Sequence, residues 1–411
     1  MAQHNTGLSS QREPRLSPIE VQHVHAVNEH IAREIAVAGG WLSFERFMEL
    51  ALYAPGLGYY SAGAHKLGAG GDFSTAPELS PLFGACVARQ CAEVLSALGG
   101  GSILEIGAGS GRMAGDILAR LESLGTLPER YSILEVSGDL RARQTQYLSQ
   151  RLPHLADRLQ WLDAPPEESF DGVVIANEVL DALPVVRFRW HSTGVLELGV
   201  QARAPAPAPE HGQAFAWAAR PAAPRVVEAC RLLRAADWGE GYESEYCPRL
   251  AAWTREVGSS LRRGAVLWFD YGLPRAQYYF GQRHEGTLIC HFRQRTYADP
   301  FRYPGLQDIT AWVDFTALAE AAAVGFEVAG FTTQAYFLAG TGIDQEMQIL
   351  AGDDAAAFAR LAHQARQLML PGEMGESFKA MVWTRGLDGL ADAPRGASLV
   401  GFKLQDLRHT L

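Results

Sequence analysis

Acidic and amide side chains recur close to the ends of short apolar runs, where they could contact a bound ligand. The residues that share this position are Glu105, Glu135, Asp163, Asn177, Glu178, Asp181 and Asp270. Carboxylates can accept hydrogen bonds from sugar hydroxyls and can attract cationic groups. Whether they form one site depends on the elements that position them.

The stretch 102–118 predicts the element around which such a site would be organised. A short apolar run ends at Gly107, Gly109 and Gly111, and apolar residues at helical spacing follow. Glycine permits positive φ angles and lets a ligand approach where a Cβ would lie, and the start of a helix offers unpaired N–H groups. The pattern predicts a strand, a nucleotide-like cradle and a helix, although a plain strand-to-helix connection would look the same.

The residues around this turn favour S-adenosyl-L-methionine over a dinucleotide. The dinucleotide fingerprint G-x-G-x-x-G needs a glycine at position 112, where Arg112 stands. Glu105, two residues before the first glycine, would repel a pyrophosphate and attract the ammonium group of an amino-acid moiety. We therefore expect Glu105 and the three glycines to bind this cofactor.

The next two strands are expected to complete the cofactor site. Residues 131–136 form an apolar strand that ends with Glu135, which could accept both ribose hydroxyls, as in nucleotide-binding α/β folds. Asp163 follows a strand near residues 158–161 and suits a hydrogen bond to an adenine amino group. Exposed aspartates after strands are common, so surface charge is the alternative for Asp163.

The segment 68–81 is small, polar and punctuated by glycine and proline, which is typical of loops that close over ligands. We expect Asp72, Phe73 and Thr75 to lie against the cofactor. The alternative is a solvated turn in which Ser80 caps the helix that follows.

Two later strands should carry polar side chains to the carboxyl edge of the sheet, where α/β folds bind ligands. One delivers Asn177, Glu178 and Asp181, on a short helix that Pro184 ends, and another delivers Asp270. We expect Asn177 to bind the cofactor and the three carboxylates to be catalytic candidates. Helix capping and surface charge would explain the same residues without a site.

The polar region 286–315 is expected to shape a substrate pocket. It contains one histidine and several arginines, and it lacks the ligand spacing of a metal site, so no metal is expected. By residue type His291 is the best candidate for moving a proton. A structural hydrogen bond is the alternative for this histidine.

Composition excludes several classes of protein. The chain has 411 residues, 47% of them hydrophobic, and a formal charge of −10 that argues against a general nucleic-acid binder. No run of about 20 apolar residues offers a membrane span, and residues 1–15 lack the apolar core of a signal peptide. Five scattered cysteines without a C-x-x-C pair indicate neither a zinc site nor a disulfide framework. We expect a cytoplasmic protein.

The pattern of elements predicts how the chain is divided. We expect a disordered N-terminus at 1–17 and N-terminal helices with the ligand-covering loop at 18–98. The core should comprise 99–190 and 262–385, with a cap inserted at 191–261 and a C-terminal tail at 386–411. A β-hairpin is expected from alternation in 185–190 and 195–200, where the chain passes from core to cap.

An ordered set of motifs resembles the MidA family of S-adenosylmethionine-dependent methyltransferases, which includes a protein similar to a mitochondrial complex I assembly factor. The motifs are LEIGAGSGRM, GAGGDFSTAPELSPLFG, ANEVLDALPV, DYG, GTLICHFRQR, DPFRYPGLQDIT, VDFT and LMLPGEMGESFKAM. The resemblance implies an α/β fold: a Rossmann-like class I core with a seven-stranded, mostly parallel sheet, helices on both faces and an inserted α/β cap. Gln294 and Trp312 stand where the family is expected to have histidines.

The resemblance also implies methylation of a protein arginine, with a complex I subunit as a possible substrate. Paired carboxylates can hold a guanidinium bidentately, and Glu178 with Asp181 or Asp270 could do so. A small-molecule N- or O-methyltransferase and a non-catalytic assembly chaperone remain open alternatives. The sequence does not decide the oligomeric state.

Overall fold

The strands of the protein form three sheets in the part of the chain that the structure, a computed structural model, describes, namely residues 14–62, 75–203, 214–387 and 399–411. In chain order the strands are β1 (Leu42–Ser43), β2 (Ser102–Ile106), β3 (Tyr131–Leu134), β4 (Leu159–Leu162), β5 (Phe170–Asn177), β6 (Val186–His191), β7 (Gly194–Ala202), β8 (Phe215–Pro221), β9 (Tyr242–Tyr246), β10 (Leu261–Leu273), β11 (Ile289–Phe292), β12 (Arg295–Tyr297), β13 (Asp308–Thr310), β14 (Val313–Asp314), β15 (Glu327–Thr333) and β16 (Phe378–Arg385).

The helices alternate with the strands of the largest sheet. In chain order they are α1 (Pro18–Val37), α2 (Phe44–Tyr53), α3 (Ala76–Leu79), α4 (Pro81–Leu98), α5 (Arg112–Leu124), α6 (Gly138–Arg151), α7 (Pro224–Leu233), α8 (Leu250–Ser259), α9 (Arg275–Tyr278), α10 (Phe315–Ala322), α11 (Gln334–Thr341), α12 (Ile343–Ala351), α13 (Ala355–Met369) and α14 (Met374–Ser377).

The central sheet has the order β15-β16-β10-β5-β2-β3-β4, and the short β14 pairs with β10. Neighbours from β4 to β10 run parallel, whereas β16 runs antiparallel to both β10 and β15. The expected seven-stranded, mostly parallel α/β sheet is therefore confirmed. The strand order reverses direction between β2 and β5, and α/β folds bind ligands outside such a switch point.

Both faces of the central sheet are covered, as the continuous apolar strands predicted. Ile103 and Val173 belong to the apolar cluster that α4 and α5 complete. Leu104 and Val174, the next residues along the same strands, belong to the cluster of α8 and α10 on the other face. Burial on both faces fixes the register of the strands, and with it the position of the residues that follow them.

The second sheet has the order β1-β7-β6-β9, with β8 pairing to β7. Apart from β1, its strands lie between β5 and β10 in sequence. The expected β-hairpin is confirmed as β6 and β7, which are antiparallel. Helix α2 packs on this sheet, where the ring of Phe47 lies 5.8 Å from that of Phe215. The division of the chain into the expected domains stays a prediction.

Three helix starts follow the capping residues that the sequence offers. Ser17 forms a capping box with Glu20 at the start of α1. Ser43 accepts from the N–H of Arg46 in α2, and Ser80 accepts from the N–H of Leu82 in α4. Each cap satisfies a backbone donor that would otherwise lack a partner.

Two expectations about local structure are wrong. The segment that carries Glu178 and Asp181 forms turns and bends rather than a short helix, and Glu178 has a φ of 53°, which a helix cannot accommodate. The expected tail also contains a packed segment, since Phe402 is buried against Phe337 of α11. The disorder expected at residues 1–17 lies mostly outside the described residues, which begin at residue 14.

No helix in the described ranges combines the length and the apolar character that crossing a bilayer requires.

Candidate functional site

A cavity of about 500 Å³ opens at the carboxyl edge of the central sheet. Its walls are the glycine turn after β2, the residues that follow β3 and β5, and the C-terminal end of α2 with the turn after it. Among the described residues, seven carboxylates line it against two arginines: Glu49, Glu78, Glu105, Glu135, Asp139, Glu178 and Asp181 against Arg112 and Arg249. This excess of acid suits a cationic ligand.

The glycine turn has the backbone conformation that the sequence predicted. Gly107, Gly109 and Gly111 have φ angles of 65°, 54° and 83°, which residues with a Cβ rarely adopt. The N–H of Gly107 donates to the carbonyl of Leu134 at 3.0 Å, which joins the turn to β3. A Cβ at Gly107 would lie 3.4 Å from Val179, which is an ordinary contact, so the positive φ rather than a clash disfavours a larger residue here.

Glu135 lies just beyond the end of β3 and is tied to the glycine turn through Gln144 of α6. The Nε2 atom of Gln144 donates to the carbonyl of Gly109 at 2.9 Å and to Oε2 of Glu135 at 3.0 Å. Its Oε1 atom accepts from the indole of Trp161 at 3.0 Å. Gln144 is fully buried. Nothing in the sequence indicates its role, because α6 is otherwise a polar helix with no ligand-binding motif.

The carboxylate of Glu135 is held in place for accepting further hydrogen bonds. Its Oε1 atom accepts from the N–H of Ser137 at 2.9 Å. Burial raises the pKa of Glu135, while the hydrogen bond from Ser137 opposes that rise. Each carboxylate oxygen has a second lone pair, so hydroxyl donors can still bind.

Glu105 is fully buried in β2 and also reaches the cavity. Its Oε2 atom accepts from the hydroxyl of Tyr131 at 2.6 Å, and its Oε1 atom has no hydrogen-bond partner among the described residues. Burial raises the pKa of Glu105 to about 7. A buried acceptor without a partner is costly, and a cationic donor from the cavity would relieve that cost.

Glu178 and Asp181 follow β5 and line the same cavity. The amide of Asn177 donates to Oε1 of Glu178 at 3.1 Å, and the hydroxyl of Tyr271 donates to Oδ2 of Asp181. Oδ1 of Asp181 and Oδ1 of Asn177 are buried without a hydrogen-bond partner in the described part of the chain. The structure thus brings these predicted residues together with the glycine turn.

These two carboxyl groups are shifted toward their neutral forms. Burial, and next the charge of Asp181, raises the pKa of Glu178 to about 8. Burial raises the pKa of Asp181 to about 6, although the hydrogen bond from Tyr271 opposes the shift. An incoming cation would favour the ionised form of both groups.

Asp270 does not line the cavity with the other two catalytic candidates. It is fully buried, and its Oδ2 atom accepts from the N–H groups of Leu180 and Asp181 at 2.9 and 3.3 Å. Its Oδ1 atom accepts from the N–H of Tyr271 at 2.9 Å. Asp270 therefore fixes the backbone of the loop that carries Asp181, and it cannot reach a ligand in the cavity.

Other predicted residues lie elsewhere. The side chain of Asp163 is 84% exposed and pairs with Arg141 at 2.5 Å, outside the cavity lining. His291 lies in β11 of the third sheet, has a pKa lowered by burial, and is likewise not among the lining residues. Thr75 does line the cavity, whereas Asp72 and Phe73 lie outside the described residues.

The two departures from the family motifs also lie outside the cavity lining. Gln294 is exposed at the turn between β11 and β12, with a φ of 61°. The ring of Trp312 lies 5.1 Å from the guanidinium of Arg283. Neither residue belongs to the lining among the described residues.

Two tyrosines also line the cavity. Tyr53 is the last residue of α2, and Tyr60 lies in the turn after that helix. Neither is among the residues that the sequence predicts for the site, and the neighbouring Tyr59 is 1% exposed. Nothing in the local sequence distinguishes an aromatic residue that faces a cavity from one in the core.

The arrangement fits S-adenosyl-L-methionine. The glycine turn leaves space beside the backbone, Glu135 can accept hydroxyl donors, and Glu105 offers an unpartnered oxygen for an ammonium group. In the described ranges no group of three or more His, Cys, Asp or Glu side chains could hold a metal ion.

Comparison with known proteins connects this site with a family. Residues 86–332 match the family described as "Putative S-adenosyl-L-methionine-dependent methyltransferase". A curated relative from Danio rerio, named protein arginine methyltransferase NDUFAF7, mitochondrial, is 31% identical over 388 residues, covering 86% of each chain. The protein of the same name from Homo sapiens is 26% identical and covers 90% of this chain and 85% of its own.

A crystal structure from Burkholderia thailandensis has the same fold throughout. It is a likely methyl transferase of the COG1565 superfamily bound to S-adenosyl-homocysteine, by its own description. It is 42% identical, covers 97% of this chain and 100% of its own, and superimposes with a TM-score of 0.89.

The expected cytoplasmic location is wrong on this comparison, because the curated relatives are named as mitochondrial proteins. The expectation depended on the absence of an apolar signal-peptide core. That absence bears on secretion only, since mitochondrial transit segments are amphipathic and rich in arginine and serine.

Proposed function

Because this chain belongs to the family of S-adenosyl-L-methionine-dependent methyltransferases, we propose that it transfers the methyl group of that cofactor to an arginine of a protein substrate. The curated relatives are named protein arginine methyltransferases, which supports the substrate class. A subunit of respiratory complex I is the candidate substrate that the sequence resemblance implies.

One observation carries the proposal: Glu178 and Asp181 line the same cavity as the glycine turn. A guanidinium is planar, permanently charged and suited to bidentate binding by carboxylates. An acidic pocket next to a cofactor cradle would hold such a group while excluding water. A neutral hydroxyl acceptor would gain far less from two buried carboxyl groups.

The residues of the cofactor half have separate roles in this proposal. Glu135 accepts the ribose hydroxyls, Glu105 accepts from the ammonium group, and the glycine turn lets the ligand approach the backbone. Asn177 and Thr75 contact the same ligand from the neighbouring loops. We also assign Asp72 and Phe73 to this half on the family motif.

The cofactor supplies a methyl group already activated by the positive sulfonium. The chain must therefore bind the acceptor in line with that methyl group and exclude water. Glu178 and Asp181 hold the guanidinium, orient its reacting nitrogen and draw positive charge toward the other two nitrogens. Asp270 keeps this loop in place through the backbone N–H groups of Leu180 and Asp181.

The test is transfer of labelled methyl from the cofactor to the candidate complex I subunit, with mass spectrometry of the product. We expect label on arginine, and its loss when that arginine is replaced by lysine in the substrate. Gly107→Val, checked for folding by circular dichroism, is the control that cannot bind cofactor. Label only on small-molecule acceptors, or no label in a single turnover, would overturn the proposal.

A further inference from the structure

Two tyrosine rings that line the cavity are stacked on each other. The centroids of Tyr53 and Tyr60 lie 5.5 Å apart, with an angle of 19° between the ring planes. Both rings line the cavity beside Asp181. Tyr53 is 36% exposed, so a ligand that enters this part of the cavity can reach it.

Hydrogen bonds at both hydroxyls hold the rings in place. The hydroxyl of Tyr53 donates to the carbonyl of Ala182 at 2.9 Å. The hydroxyl of Tyr60 lies 2.9 and 3.0 Å from the two carboxylate oxygens of Asp308, which is 1% exposed at the start of β13. The wall is therefore preorganised, and binding a ligand need not order these side chains.

We propose that Tyr53 and Tyr60, which we call the tyrosine wall, bind the guanidinium of the acceptor arginine and make the enzyme select arginine over lysine. This inference rests on the proposed function. Aromatic rings attract cations, and a planar, weakly hydrated guanidinium stacks on them better than a strongly hydrated ammonium. Oδ1 of Asp181, buried and without a hydrogen-bond partner in the described structure, is the adjacent acceptor for the same group.

The arginine that lines this half of the cavity does not cancel the attraction for a cation. Arg249 is an ion-pair partner of Glu49 at 2.7 Å and of Glu45 at 3.2 Å. Glu49 also pairs with Arg46 at 2.8 Å and Glu45 with Arg225 at 3.4 Å, so Arg249 is one member of a network of ion pairs, and Glu49 itself lines the cavity. A second guanidinium can enter without meeting an unpaired positive charge.

The test uses a synthetic peptide that contains the arginine methylated in the complex I subunit, and the same peptide with lysine or with citrulline in its place. Citrulline keeps the planar shape and removes the charge. Tyr53→Leu and Tyr60→Leu remove a ring, the corresponding Phe variants keep it, and Tyr336→Leu changes an exposed tyrosine of α11 as the matched control. The measurements are KM, kcat, competition by the citrulline peptide, and calorimetric binding of S-adenosyl-homocysteine.

Each Leu variant should raise KM for the arginine peptide about fivefold or more, with little change in kcat or in S-adenosyl-homocysteine affinity. The preference for the arginine peptide over the lysine and citrulline peptides should fall by about the same factor. Tyr336→Leu should stay within about twofold of the wild type. The Phe variants keep the rings but lose the hydroxyl bonds to Ala182 and Asp308, so their KM should fall between those of the wild type and the Leu variants.

Two results would overturn the inference in distinguishable ways. Leu variants that match the wild type in KM and in preference for arginine would disprove the role of the tyrosine wall and leave the proposed function intact. A wild-type protein that neither binds nor methylates the arginine peptide or its parent subunit would disprove the proposed function. The role of the tyrosine wall would be disproved with it.

Discussion

Glu178 occupies a conformation that most residues avoid. Its φ of 53° lies in the left-handed region, which costs on the order of 1 kcal/mol or more for a residue other than glycine. Its N–H donates to the carbonyl of Phe269 at 2.9 Å, and this bond holds the strained residue at the end of β5. The strained backbone places the carboxyl group of Glu178 in an acidic cavity. The free energy of this strain is a cost to stability that serves the site.

Burial of Glu178 makes stability depend on pH. Its pKa is about 8 in the folded protein against an ordinary value of 4.5, so between these values the folded state retains a proton that the unfolded chain has lost. The free energy of unfolding should therefore fall as pH rises through this window, and Glu178→Gln should make that fall shallower. Above about pH 8 the group is ionised in both states and adds no further slope.

The measurement is urea unfolding of the cofactor-free protein between about pH 5 and about pH 9. Glu256→Gln, on an exposed residue of α8, is the control and should keep the wild-type slope. If Glu178→Gln also keeps that slope, Glu178 does not carry the buried proton.

At the scale of elements, the strands and helix starts could be predicted because their causes are local. An apolar run that ends at glycine predicts β2, and Ser80 predicts the start of α4. The cradle and Glu135 were predictable for the same reason, since both directly follow their strands.

What could not be predicted depends on contacts between distant parts of the chain. The sequence predicts a helix at Glu178. In the structure the N–H groups of Leu180 and Asp181 donate instead to Asp270, some 90 positions later in the chain. The sequence likewise makes Asp270 a candidate for contact with the substrate. Only its backbone partners show that it holds the loop in place. Asp163 and Glu135 both directly follow a strand. Glu135 lines the cavity, whereas Asp163 is exposed at the surface and pairs with Arg141.

Helix α6 shows how one buried side chain joins three parts of the cofactor site. Gln144 bonds to Gly109, Glu135 and Trp161. Gln144→Leu keeps the volume and removes these bonds, so affinity for S-adenosyl-homocysteine should fall about tenfold. Calorimetry measures this affinity. The control Gln150→Leu changes an exposed residue of the same helix and should bind S-adenosyl-homocysteine like the wild type. Unchanged affinity in Gln144→Leu would show that the cradle does not need this link.

At the scale of the whole molecule, the two ends of the cavity come from different sheets and their helices. The central sheet supplies the glycine turn, Glu135 and the loop of Glu178, whereas α2, which packs on the second sheet, supplies Tyr53. The bond from Tyr53 to Ala182 joins the two at the site. The geometry of acceptor and cofactor relative to each other therefore depends on how the second sheet is attached to the first.

The central claim is that Glu178 and Asp181 hold a cationic acceptor beside the cofactor. Its most direct test is transfer of labelled methyl to the candidate substrate, a complex I subunit, by Glu178→Gln and Asp181→Asn, with S-adenosyl-homocysteine binding measured on the same samples. We predict near-normal cofactor affinity and methyl transfer reduced by orders of magnitude in both, because each change removes a charge that pairs with the guanidinium in a water-excluded site. Full transfer by both variants would contradict the account.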